Sequence, residues 1–139
     1  MSAEENKTIL RRFVEEVWNQ RKFEVLDEIC APNLVLHDPT MPGLSQGPEG
    51  IKQYISPFFA AFPDVQVEID DVFAEADRVA LRCTIRGTHK GELMGIPPTG
   101  KQVTFTGQAI YRLANGKIAE DWIAADVFGL LQQLRAIPK

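Results

Sequence analysis

The dipeptide Asn115-Gly116 constrains this chain more than any other feature. It separates two runs of strand-like residues, QVTFTGQAIYRLA and KIAEDWIAAD. Asn-Gly is the pair best able to supply two consecutive positive φ angles, so the stretch is expected to form a hairpin closed by a two-residue type I′ turn. So short a loop sets the register. Pairing Ala114 with Lys117 and counting outward puts Ile118 opposite Leu113, Glu120 opposite Tyr111, Trp122 opposite Ala109, Ala124 opposite Gly107 and Asp126 opposite Phe105. Directly opposed residues share a face. One face is therefore expected to carry Phe105, Gly107, Ala109, Tyr111, Leu113, Ile118, Trp122 and Ala124, together with the carboxylates Glu120 and Asp126. The other carries Thr104, Thr106, Gln108, Ile110, Arg112, Ala119, Asp121, Ile123 and Ala125, and reads as half-wet.

An acid on an apolar, aromatic face is a chemical anomaly. It makes Asp126 the expected centre of a site walled by Phe105, Ala109 and Trp122, with its pKa raised by desolvation. The same residue also suits the N-cap of a following helix. Glu120 lies about 20 Å nearer the turn and is expected to pair with an arginine.

The chain before the hairpin is mostly helical in its first half. Ser2-Ala3-Glu4-Glu5 is a capping box. Ile9, Leu10, Phe13, Val14, Val17 and Trp18 follow at helical spacing, which predicts an amphipathic helix from residue 3 to about 20. A short helix is expected over 22–29, ending before Pro32, then an extended piece over 34–39. A third helix opens at Pro48, where the missing N–H costs nothing. It buries Ile51, Tyr54, Ile55, Phe58, Phe59 and Phe62, and Pro57 is expected to kink or split it. From Val65 the period falls to two, with a bulge expected at Asp70-Asp71. A second strand follows, with Val79, Leu81, Cys83, Ile85 and His89 on one face. Leu130, Leu131 and Leu134 suggest a terminal helix.

Helices first and antiparallel strands afterwards indicate an α+β fold. The expected form is a cone-shaped, curved antiparallel or mixed β-sheet wrapped around three N-terminal helices, with a central pocket and one domain spanning 1–139. Core residues of such a cone also line its pocket. Trp18, Tyr54, Phe58, Phe105, Ala109, Tyr111 and Trp122 are therefore candidates for binding a flat, largely hydrophobic ligand. Met94 and Ile96, in a loop with Gly95 and Gly100, suggest a mobile lid. His37 and His89 are candidates for proton transfer if they face the pocket.

Fifteen basic against nineteen acidic residues, net −4 with no basic run, argue against nucleic acid or an anionic membrane as partner. No apolar stretch approaches a membrane span, and the N-terminus lacks a signal peptide's apolar core. A cytoplasmic location is expected. Cys30 and Cys83 form no CxxC pair and read as buried thiols. Two histidines are too few for an ordinary structural zinc site.

The residues His37-Asp38-Pro39, Gly47-Pro48-Glu49-Gly50, Thr88-His89-Lys90-Gly91, Gly95-Ile96-Pro97-Pro98-Thr99-Gly100 and Asn115-Gly116-Lys117-Ile118, followed by Glu120, Trp122, Asp126 and Gly129, carry a resemblance. Over nearly its whole length the chain resembles the SnoaL-like polyketide cyclases of the nuclear-transport-factor-2-like superfamily. The resemblance implies an intramolecular aldol ring closure without a cofactor, with a pocket Asp, matched here by Asp126, as acid/base. In those cyclases a histidine on the preceding strand assists, and that position is Ala109 in this chain.

The expected activity is thus proton transfer on a hydrophobic, carbonyl-containing, polyketide-like substrate, in a homodimer joined through the outer sheet face. Alternatives within the same fold are a polyketide-tailoring hydroxylase, an isomerase or epoxide hydrolase, and a non-catalytic binding module.

Overall fold

The structure, a computed structural model, describes residues 2–135. Ser2 caps α1 (Ala3–Arg12) as its sequence demands: its hydroxyl accepts from Glu5 N, and the Glu5 carboxylate accepts from Ser2 N. The helix runs on into a π-helical stretch, Phe13–Asn19. Its wider turn brings Phe13, Val14 and Val17 to the core together, all three buried. A 3₁₀ turn, Phe23–Val25, and a single turn of helix, α2 (Leu26–Ile29), replace the longer second helix expected.

β1 (Cys30–His37) begins four residues earlier than the extended piece the sequence suggested, and Pro32 lies inside it. Proline is tolerated there because β1 is an edge strand with an irregular stretch between Cys30 and Val35. α3 (Pro48–Ala61) stays one helix through Pro57. β2 (Gln66–Glu75), β3 (Arg78–Thr88), β4 (Gln102–Ala114) and β5 (Lys117–Ala125) follow, then α4 (Val127–Gln133).

The strands form one mixed sheet in the order β1-β5-β4-β3-β2, antiparallel except for the parallel pair β1–β5. The helices cover its inner face, giving the α+β cone. The bulge expected in β2 is present: Ile69 faces Cys83 and Asp71 faces Arg82, leaving Asp70 as the extra residue. Beyond it Val72 and Ala74 stay on the core side. Leu10, Val17, Leu26, Ile55 and Phe62 have no exposed surface, and each such burial stabilises by about 1.5–3 kcal/mol.

Candidate active site

The hairpin turn is as expected, with φ of +52° at Asn115 and +75° at Gly116. Lys117 pairs with Ala114 and Ile118 with Leu113, but the next pair is Glu120 with Arg112. Ala119 is an extra residue, a β-bulge three residues past the turn. From there on the expected register is displaced by one, and one residue of slip exchanges the two faces of a strand. Asp121 is opposite Tyr111, Trp122 opposite Ile110, Ile123 opposite Ala109 and Ala125 opposite Gly107. Asp121, Ile123 and Ala125 therefore turn inward, and Glu120, Trp122 and Ala124 turn outward.

The inner face closes on a cavity of about 70 Å³ between the sheet, α3 and the π-helical stretch. Its wall is almost wholly apolar. Trp18, Tyr54, Phe58, Phe105, Ala109 and Tyr111 line it, as do Leu36, Cys83 and Ile123. One carboxyl group is among the lining residues, and it belongs to Asp121.

Asp121 is 1% exposed. Neither of its side-chain oxygens has a hydrogen-bond partner among the described residues. Leaving a carboxylate in such a place is costly, so the proton is retained. Desolvation first, and the nearby Asp38 carboxylate second, push its pKa well above the ordinary carboxylic range. The phenols at its side are held neutral as well. Desolvation followed by Asp121 raises Tyr111, and desolvation followed by Asp38 raises Tyr54. Sequence reasoning missed Asp121 because a plain hairpin puts it outside. A signal was present: the unbulged register buries two acids and exposes Ile123, whereas the bulged one buries a single acid and Ile123 with it.

Asp126, the acid the hairpin count singled out, lies elsewhere. It is exposed at the N-cap of α4, where its Oδ1 accepts from Gly129 N at 2.9 Å. A Cβ at position 129 would run into that carboxylate, so Asp126 and Gly129 act together as a helix-start device. The expected apolar mouth around it is absent, because the bulge carries the strand end outward. Trp122 is displaced for the same reason. It packs on the outer face between the His37 ring, stacked at 5.4 Å, and the Arg78 guanidinium at 5.0 Å.

His37 does not reach the cavity. Its Nε2 lies 2.7 Å from Glu120 Oε2, and Glu120 Oε1 accepts from Arg112 Nε at 3.3 Å. His37 and then Arg112 hold the Glu120 carboxyl below its ordinary value, and the expected arginine partner of Glu120 is thus Arg112. His89 is fully buried behind Phe62, away from the cavity. Its Nδ1 accepts from Thr99 N at 3.2 Å, with the Thr99 hydroxyl at 3.0 Å.

Met94 and Ile96, expected in a lid, do not line the cavity, and that contact is one of several that hold their loop. Leu93 and Ile96 exchange backbone hydrogen bonds, Leu93 is buried, and Lys90 N and Gly91 N both donate to Ala61 O. The loop is tied to the end of α3 as well as to His89.

Cys30 and Cys83 are free, with thiols pushed up to about 12 and about 11, mainly by burial. Neither is poised as a nucleophile. Among the described residues no three His, Cys, Asp or Glu side chains converge as a metal site would. No helix among them is long and apolar enough to cross a membrane.

Comparison with known proteins agrees with this architecture. The chain is 28% identical over 137 residues to the aklanonic acid methyl ester cyclase DauD of Streptomyces sp. strain C5, covering 91% of this chain and 79% of that one. A candidate polyketide cyclase structure from Acidithiobacillus ferrooxidans superposes with a TM-score of 0.85 at 35% identity, covering 99% of this chain and 100% of that one. AclR of Streptomyces galilaeus, described as a candidate hydroxylase, superposes with a TM-score of 0.87 at 31% identity, covering 99% and 85% respectively. The family model for SnoaL-like polyketide cyclases matches residues 8–134, and the chain belongs to that family.

Proposed function

We propose that this protein is a ring-closing enzyme that acts on a hydrophobic, carbonyl-containing, polyketide-like molecule, with Asp121 as its acid/base. The observation that carries the reading is a buried carboxyl group, without hydrogen-bond partners, in the wall of an apolar cavity. A ketone oxygen is the partner such a group lacks. The named cyclase DauD supports the substrate class.

In the proposed cycle the substrate enters as its enol, and the enol carbon attacks a ketone carbon of the same molecule. The ketone oxygen takes the Asp121 proton as the carbon–carbon bond forms. The former enol oxygen, now a protonated carbonyl, returns its proton to the Asp121 carboxylate. Atoms balance as an isomerisation, and Asp121 ends as it began. The raised proton affinity of Asp121 suits this order, because the group must give before it takes. Tyr54 and Tyr111 have neutral hydroxyls for orienting substrate oxygens, and Trp18, Phe58 and Phe105 offer flat apolar surfaces. The cavity is smaller than the several hundred Å³ that hold a drug-sized ligand, so the lining must yield on binding.

The test is incubation with a panel of polyketide-type keto esters, followed by mass spectrometry and NMR of the products. Ring closure by the wild type and its loss in Asp121→Asn support the reading. Equal conversion by both proteins ends it. Likeness to AclR favours a second reading, oxygen insertion into a similar substrate. A product heavier by one oxygen atom, rather than of unchanged mass, selects it.

The outer sheet face supports self-association. Phe73, Ala80, Ile110 and Trp122 lie in one row across β2, β3, β4 and β5, with Phe73 68% and Ile110 47% exposed. Glu75, Arg78, Arg112 and Glu120 border the row on one side, Asp71 and Arg82 on the other. Mixed charge around an apolar stripe suits an isologous contact with a second copy. The outer face differs from the one expected in that Ile123 and Ala125 turn inward.

A further inference from the structure

Asp121 has several titratable neighbours, and they differ in how deeply they are buried. Cys30 on β1, Tyr54 on α3 and Tyr111 on β4 each feel Asp121, and burial keeps all three neutral. Asp38, just past the end of β1, is the exception. The parallel pairing of Leu36 with Asp121 and of His37 with Trp122 carries the β1 end alongside this part of β5. Asp38 is half-buried rather than enclosed, and its orientation is fixed. Oδ1 accepts from Thr40 N at 2.8 Å and from the Thr40 hydroxyl at 2.7 Å. The Tyr54 hydroxyl faces the same carboxylate, which acts on the phenol through both its charge and a side-chain hydrogen bond, and more strongly than Asp121 does.

We propose that Asp38 is a positioning residue for the reaction: a fixed negative charge at the cavity rim, acting through Asp121 and Tyr54 without touching substrate. Two carboxylates this close do not both ionise readily, so the outer one, solvated and held by Thr40, takes the charge and the inner one keeps the proton. Asp38 thereby presents Asp121 as an acid at the start of each cycle. The same charge draws the Tyr54 O–H dipole toward the rim, which leaves the phenol oxygen lone pairs toward the cavity. This rests on the reading of Asp121 as the reacting acid, yet it can be tested without any substrate.

The experiment follows the carboxylic C=O infrared band of Asp121 in the isolated protein against pH, the band being the one lost in Asp121→Asn. In Asp38→Asn the titration midpoint of that band is expected to fall by about one pH unit, a tenfold loss of proton affinity. Asparagine supports the same turn with Thr40, so the fold should persist. A second measurement needs no variant. Raising salt from low to molar concentration should lower the wild-type midpoint, because a rim charge is screened. Where Asp38→Asn folds, its midpoint should stay unmoved by salt. An unchanged midpoint in Asp38→Asn, or a wild-type midpoint indifferent to salt, overturns the proposal and leaves Asp121 as the acid. A band already absent at neutral pH overturns both. Normal ring closure by Asp121→Asn removes the catalytic reading alone, since the titration is read on the carboxyl itself.

Discussion

Tyr111 and Asp121 stand directly opposite each other on β4 and β5, both turned into the cavity and both all but fully buried. A hairpin without the extra residue Ala119 would have placed Glu120 opposite Tyr111. One inserted residue thus exchanges an ion-paired surface acid for a neutral buried one, and the chemistry available to the cavity follows from that exchange.

Asp121→Asn should lower ring-closing turnover by about 10²–10⁴-fold, the usual worth of a positioned acid/base, with a smaller effect on ligand affinity. Steady-state kinetics on a confirmed substrate checks it.

The same variant should change how stability depends on pH. In the unfolded chain the Asp121 carboxyl ionises near its ordinary value of 3.8, whereas in the folded chain it keeps its proton to a much higher pH. Between those two values the unfolded state binds fewer protons, so wild-type stability falls as pH rises, by about 1.4 kcal/mol per pH unit. Asparagine does not titrate. Thermal or urea unfolding of Asp121→Asn and wild type should give a difference that grows in favour of the variant from about pH 4 upward, to the folded-state midpoint. A difference independent of pH would mean that Asp121 is ionised in the folded protein.

Asp126→Asn should be close to silent in activity and stability, because asparagine caps a helix as well as aspartate does. Asp126→Ala should cost about 1 kcal/mol through loss of the Gly129 contact. Urea titration of the three proteins separates capping from catalysis.

Thr99→Val removes the hydroxyl beside His89 Nδ1 and loosens the loop that both residues hold. The expected loss is about 1 kcal/mol. Faster hydrogen exchange at Leu93 and Ile96, with exchange in β3 unchanged, is the readout that ties the loss to this loop.

Ile110→Asp should convert a dimer into a monomer. The residue is half-exposed at the centre of the apolar row on the outer face, where a like pair of charges across a two-fold contact is unfavourable. Sedimentation at micromolar concentrations reads the change, and a wild-type monomer would dispose of the dimer altogether.

Much of this fold is written locally. Ser2 and Glu5 mark a helix start, Pro48 another, and Asn115-Gly116 a tight turn, because capping and positive φ are decided within a few residues. The β2 bulge is legible for the same reason: Asp70 and Asp71 in succession break the alternation, and one of them must be surplus. The bulge at Ala119 leaves no such mark. Ile118 and Ala119 are both apolar, either can face the core, and the two registers that follow differ only farther along the strand, in whether two acids or one are buried. Only packing chooses, by burying Ile123 and Ala125 against the helices and sending Glu120 to Arg112 and His37. The approach of Asp38 to Asp121 is farther still from local reach. It depends on β1 crossing to lie parallel to β5, a contact between segments more than eighty residues apart. The sequence by itself therefore determined the turns, the caps and the kind of cavity. Which carboxyl enters that cavity, and which charge stands beside it, was decided by strand register and strand order, which are set by whole-sheet burial and not by any residue's own preference.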